Sequence, residues 1–292
     1  MSRSGPSTRL RRLASRTTLG LRLLFLLATV NGLIDARRPA ERREVLASIE
    51  RLLGARVTAR QRRKIARRFF VYRRRFDLIF VWLTELEFAH ARRMVAVEGL
   101  HHLDEALSAG RGAIIASTHM GYGRIIKPIL RLHGRPAMLV GGLSYRLPEY
   151  FAPDISPGVN LRPFFSAMRD NKPLVILLDG RRTVSARRLS VLGIDMMFAP
   201  GAIRIARASG AAVLPTFAVD HPTLRDPLGL RLVIHPAIDL QKTNDEAADT
   251  EANLRRFADA FERELMIHAH NFRWDGFREQ DRYRRLPARK PE

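Results

Sequence analysis

The sequence predicts an α/β fold, a mostly parallel central sheet flanked by helices, with an N-terminal helical membrane-associating region. Three observations predict it. From residue 95 onward, short β-type runs alternate with helical segments, the pattern of strand–helix–strand units feeding one parallel sheet. Glycines stand where those helices must end and the next strand begin, as at Gly110, Gly112 and Gly210. Before residue 94 the chain carries helix formers and arginines with no strand pattern.

The segments follow in order. In residues 1–40, Arg3, Arg9, Arg11, Arg12 and Arg16 precede an apolar stretch at 19–34 that only Arg22 interrupts. Its uncharged part, residues 23–34, falls short of the roughly 20 residues that a spanning helix needs. Basic residues followed by Leu and Phe fit an interfacial or shallowly inserted anchor. A cleaved signal and an ordinary buried helix share this shape, although no clean small-x-small cleavage site follows.

Residues 41–93 read as helical throughout, with Thr58 placed to cap a long helix. Along that helix Arg60, Arg62, Arg63, Lys64, Arg67, Arg68, Arg73, Arg74 and Arg75 alternate with Phe69, Phe70, Tyr72 and Phe76. An amphipathic helix that buries aromatics and solvates arginines has this pattern, and so does a surface resting on anionic headgroups. Aromatics and arginines together also bind nucleic acid, but no recognised nucleic-acid motif accompanies them, and nucleic acid is not expected as a partner.

Residues 94–280 carry the α/β unit. Its strand candidates are residues 95–97, 113–117, 137–140, 174–178, 212–219 and 230–234, and its helix candidates 101–108, 125–132, 161–170 and 201–208. Leu254, Phe257, Ala258, Phe261 and Leu265 form one stripe of a closing helix. Residues 281–292 read as a polar tail. No internal repeat is present.

Composition limits the chemistry. Hydrophobic residues make up 46% of the chain, enough for a large core. There is no cysteine, which excludes disulfides, zinc–thiolate sites and a cysteine nucleophile. The formal net charge of +22 is almost all arginine, whose planar fork suits phosphate and carboxylate. Such a charge favours an anionic partner: a membrane surface, an acidic protein or nucleic acid.

The run from Ala113 to Arg124 is the most informative. A buried-type strand, residues 113–117, delivers His119 onto a loop in which Gly121 and Gly123 let the backbone turn before the next helix. Sites in α/β folds are built at that carboxyl edge of the sheet. A histidine there can take a proton from an acceptor hydroxyl while backbone N–H groups face a developing oxyanion.

This run, preceded by Gly110, Arg111 and Gly112, resembles the first block of the lipid A lauroyl/myristoyl acyltransferases in the lysophospholipid acyltransferase superfamily. Further blocks are similar in the same order. Residues 174–179 resemble the strand ending in the family's Asp, here Asp179. Residues 192–201 resemble its Phe-Phe-Gly segment and the helix after it. Residues 206–215 are similar to the helix–strand block ending in Pro, and residues 268–274 to its His- and Trp-containing terminus. The likeness spans about residues 95–275.

In the family's first block, four residues separate the His from an Asp or Glu. Here Arg124 holds the acid position, and arginine, having only donors, cannot accept a hydrogen bond from imidazole. Asp179 is the first candidate to orient His119 instead. Arg124, in the first turn of the next helix, would itself sit unfavourably against the helix dipole unless an anion lies beside it. The same spacing recurs at His221 and Asp226, in a Pro-containing loop that opens no helix, and is read as coincidence.

The resemblance implies acyl transfer from an acyl carrier protein or coenzyme A thioester to a membrane lipid or glycolipid acceptor. His119 and Asp179 would be catalytic, and Gly121, Arg124, Arg162 and Arg181 would bind substrate. It implies no cofactor beyond the acyl donor and no metal. The expected place is the cytoplasmic face of the inner membrane, peripheral or shallowly anchored. The alternative is a catalytically silent homologue that binds anionic lipid or an acidic protein.

Overall fold

The computed structural model describes residues 17–85, 92, 95–141, 153–156, 160–179, 185–220 and 229–276. Arg181, the His221–Asp226 spacing, the arginines before residue 17 and the tail lie outside the described residues.

Helix α1, Thr18–Asp35, starts where the Thr17 hydroxyl accepts a hydrogen bond from the Gly20 N–H at 3.1 Å, a side-chain cap on an otherwise orphan donor. It is longer than its uncharged stretch, and it has two apolar faces. Leu21, Phe25 and Ala28 are buried, on the side that packs against α3. Leu19, Leu23, Leu26, Val30 and Leu33, with Leu27 and Ile34 beside them, are exposed. At about 100° per residue these exposed side chains fall within an arc of about 120°, a continuous apolar stripe on the outer surface. No single described helix is long and apolar enough to cross a membrane.

Among the described residues of the stretch 41–93, the helical reading resolves into two successive helices. Helix α2, Pro39–Leu53, ends before Gly54, and α3, Ala59–Glu85, begins after a turn. Thr58 does cap α3: its hydroxyl accepts from the Gln61 N–H at 3.2 Å while its own N–H donates to the Gln61 side chain at 2.7 Å. That reciprocal box starts a helix, so it also interrupts the one before it. Asp35, at the end of α1, is buried against Arg74 at 2.5 Å, and the Arg75 guanidinium lies 4.8 Å from the centre of the Phe25 ring.

The α/β unit follows in chain order: β1 Val95–Glu98, α4 Leu100–Ser108, β2 Ala113–Ser117, α5 Ile126–Leu132, β3 Met138–Leu139, α6 Arg162–Arg169, β4 Pro173–Leu177, β5 Arg187–Val191, β6 Ile194–Phe198, α7 Gly201–Ser209, β7 Ala212–Asp220, β8 Leu230–Ile234 and α8 Glu246–Ile267. Six strands form one sheet in the order β1-β8-β7-β2-β4-β3. Every neighbouring pair is parallel except β7 and β8. This is the mostly parallel α/β sheet that the alternation predicts. Strand β2 is buried at every residue, as a central parallel strand covered on both faces must be.

One element escapes the sequence reading, which assigns no strand to residues 187–198. There β5 and β6 form a separate antiparallel hairpin. Its two-residue turn is Leu192 and Gly193, both at positive φ (52° and 89°). Such turns usually show Asn, Asp or Gly first, and a leucine in that place hides the signal. Phe257 and Phe261 of α8 stack on Phe217 of β7, each with ring centroids just over 6 Å away. The closing helix is thereby fixed to the sheet.

Candidate active site

Strands β2 and β4 are parallel neighbours in register, Ser117 opposite Leu177. The Leu178 N–H continues the ladder by donating to the Ser117 carbonyl at 2.8 Å. His119 and Asp179 each stand two residues past those strand ends. The register therefore sets them side by side at the sheet's carboxyl edge. His119 Nδ1 is 2.8 Å from Asp179 Oδ1, and the His119 backbone N–H also donates to both carboxylate oxygens, at 2.9 and 3.0 Å.

That arrangement has a chemical consequence. An ionised Asp179 fixes Nδ1 as the protonated nitrogen and leaves Nε2 as the basic one. The histidine side chain is 39% exposed and the aspartate 13%, so the imidazole is reachable while its partner is largely sheltered. Base and orienting carboxylate together are what a general-base site requires. Arg124 occupies the acid position of the resemblance, yet the imidazole already has a carboxylate, delivered from another strand.

Gly121 is tied into the fold through both of its backbone polar groups. Its N–H donates to the Asn271 carbonyl at 2.8 Å, and its own carbonyl accepts from the Tyr72 hydroxyl at 2.8 Å. A Cβ at Gly121 would come within 2.1 Å of the Ala218 carbonyl oxygen, and its φ is +61°. Glycine is needed for this close approach of loop and strand, and its amide is taken up by the Asn271 carbonyl. The other loop amides are also engaged: Met120 with the Thr118 hydroxyl at 3.2 Å and Tyr122 with the Ala218 carbonyl at 2.7 Å. The expectation that backbone N–H groups of this stretch face an oxyanion is thus corrected for residues 119–122. Arg124, half-buried in the short 3-10 turn Gly123–Ile125 that leads into α5, is the cation nearest in sequence to His119.

Arg162 is exposed at the first position of α6, and among the described residues no hydrogen bond joins it to the His119–Asp179 pair.

A second polar cluster, which sequence reasoning missed, braces the His119 loop from behind. Asp220, the last residue of β7, is buried and receives Arg75 Nε at 3.1 Å, the Tyr122 hydroxyl at 3.2 Å and the Asn271 amide at 2.6 Å. His270 Nε2 lies 2.9 Å from the Asp220 carbonyl oxygen. Burial opposes ionisation of Asp220, but the His270 hydrogen bond, the Arg75 charge and the Asn271 amide outweigh it and hold the carboxyl below its ordinary value. Burial beside Asp220 pushes the Tyr122 hydroxyl well above the usual tyrosine value, so it stays a donor. Arg75 looks like its exposed neighbours in the sequence. Only the buried end of β7 distinguishes it.

Among proteins of known family, residues 145–275 match the family described as bacterial lipid A biosynthesis acyltransferase. The matched stretch holds Asp179 and Arg162, while His119 lies before it. No curated protein matches the chain. A solved structure, the 1-acyl-sn-glycerophosphate (LPA) acyltransferase PlsC from Thermotoga maritima, aligns over 84% of this chain and 93% of its own, with 18% identity and a TM-score of 0.37. On the strength of that match, residues 145–275 of the chain resemble the bacterial lipid A biosynthesis acyltransferases.

Proposed function

We propose that this protein is a membrane-surface acyltransferase that moves a fatty acyl group from an acyl carrier protein or coenzyme A thioester to a lipid or glycolipid acceptor of the lipid A type. The 2.8 Å contact between His119 Nδ1 and Asp179 Oδ1 carries the reading. His119 Nε2 takes the proton of the acceptor hydroxyl as its oxygen attacks the thioester carbonyl. Asp179 stabilises the imidazolium that forms. The tetrahedral intermediate then collapses, the C–S bond breaks, and the leaving thiolate recovers the proton from Nε2. Arg124 supports the negative charge of the intermediate or of an acceptor phosphate. No cofactor beyond the acyl donor takes part.

The protein rests on the cytoplasmic face of the inner membrane through the leucine stripe of α1, peripheral and not spanning. That face is the one open to acyl carrier protein and coenzyme A. Exposed arginines on and near α1, Arg22, Arg37, Arg67 and Arg68, support the reading, since arginines attract anionic lipid.

The test is transfer of a labelled acyl group from either donor to a panel of phospholipid and glycolipid acceptors in vesicles. Turnover in the wild type that disappears in His119→Ala supports the reading. No turnover in the wild type with any donor–acceptor pair would instead favour the silent homologue.

A further inference from the structure

Beside the braced loop lies a cavity of about 280 Å³ between α1, α3 and the end of β7. Leu33 of α1 forms its outer lip, Arg67, Arg68, Val71 and Tyr72 of α3 its wall, and Asp220 with His270 its floor. His119 and Asp179 are not among its lining residues. We propose that this cavity holds the phosphate-bearing headgroup of a membrane phospholipid, with the acyl chains leaving past Leu33 along the leucine stripe of α1. The proposal rests on the membrane-surface reading of α1 and not on acyl transfer.

Charge is the first reason. Along α3 four arginines have carboxylate partners: Arg62 with Glu50, Arg73 with Glu41, Arg74 with Asp35 and Arg75 with Asp220. Arg67 and Arg68 are exposed at the cavity and have no ion-pair partner among the described residues. The one acid on the floor, Asp220, is already matched by Arg75, Tyr122 and Asn271. The wall therefore carries two uncompensated guanidiniums, whose donor forks suit a phosphate.

Shape is the second reason. The volume lies near the low end of the roughly 300–1,000 Å³ usual for small-ligand sites, which is a headgroup's size and too small for acyl chains. Leu33 belongs both to the lip and to the exposed stripe, so an apolar path continues from the cavity to the surface. A soluble phosphate ester would leave that path unused, whereas a diacyl lipid occupies both ends.

The experiment titrates the full-length protein calorimetrically with dihexanoyl phosphatidic acid below its micelle-forming concentration, and separately with inorganic phosphate. The wild type should bind the short-chain lipid at least tenfold more tightly than phosphate. Arg67→Ala/Arg68→Ala should weaken lipid binding at least tenfold. Arg60→Ala/Arg63→Ala, which removes the same charge from exposed positions outside the cavity, should change it less than twofold. Equal losses in the two double variants would mean a diffuse basic surface and overturn the proposal. Equal affinity for phosphate and lipid, or no lipid binding by the wild type, overturns it as well. The substituted arginines are exposed, and unliganded melting curves verify that each variant folds. The titration needs no turnover, so its failure leaves acyl transfer at His119 standing, and a failed transfer assay leaves the titration standing.

Discussion

His119 and Asp179 meet because β2 and β4 run parallel in register and each residue stands two positions past its strand's end. The carboxylate holds the histidine twice, at the ring nitrogen and at the backbone amide.

The first prediction follows from that double hold. His119→Ala should lower kcat by roughly 10²–10⁴-fold, the usual contribution of a general base, and leave the melting temperature near that of the wild type. Asp179→Asn keeps an oxygen acceptor but loses the charge that favours imidazolium, and should fall in the same range. Asparagine at 179 with activity within threefold of the wild type would remove Asp179 from the mechanism.

The second concerns the altered acid position. Arg124→Glu restores the spacing of the resemblance but adds a carboxylate where His119 already has one. Activity should fall at least tenfold, with KM for a phosphorylated acceptor rising, because the substitution places like charge beside a substrate anion. A gain in kcat would show instead that Arg124 is a defect and that Asp179 does not do the acid's work.

The third tests the packing of the loop. Gly121→Ala requires a Cβ within 2.1 Å of the Ala218 carbonyl oxygen and a positive φ. Denaturant unfolding should show a loss of at least about 2 kcal/mol. Unchanged stability would mean that loop and strand part easily, contrary to the contacts of Gly121 with Tyr72 and Asn271.

The fourth concerns the buried pair. Arg75→Met leaves the Asp220 carboxylate without its cation and should cost about 3–5 kcal/mol at pH 7. In the wild type the Asp220 carboxyl is held below its ordinary value. Its contribution is thus complete above the unfolded value, about 3.9, and is lost as pH falls below it. Without Arg75 the carboxyl titrates higher and folds more easily protonated. The gap between wild type and variant, measured by urea unfolding, should therefore narrow from pH 7 to pH 4. A gap independent of pH would assign the loss to packing alone.

The fifth addresses the membrane. Leu23→Ser/Leu27→Ser changes exposed positions of α1, and should reduce pelleting with anionic vesicles at least tenfold without altering stability. Raising salt should release the wild type, since exposed charge is screened over about 10 Å at 0.1 M. Pelleting indifferent to both changes would separate α1 from the membrane.

The sequence by itself determined the strands of the main sheet, the helices between them and the His119 loop, and it offered Asp179 as the first candidate to stand beside that histidine. Strands buried on both faces leave runs such as residues 113–117, and the residues at their ends are thereby marked. It also determined the apolar character of α1, a property of spacing alone. The hairpin at residues 187–198 was not legible, because a leucine held at positive φ carries no turn signature of its own. The tertiary structure alone decided that the loop amides at 119–122 turn inward and that Gly121 serves close packing. It also singled out Arg75 from a run of arginines by burying it on Asp220, and left Arg67 and Arg68 facing a cavity. Those outcomes depend on which groups from distant elements come to lie opposite one another. Neither charge nor periodicity along the chain encodes that, because identical arginines on one helix differ only in what the fold places against them.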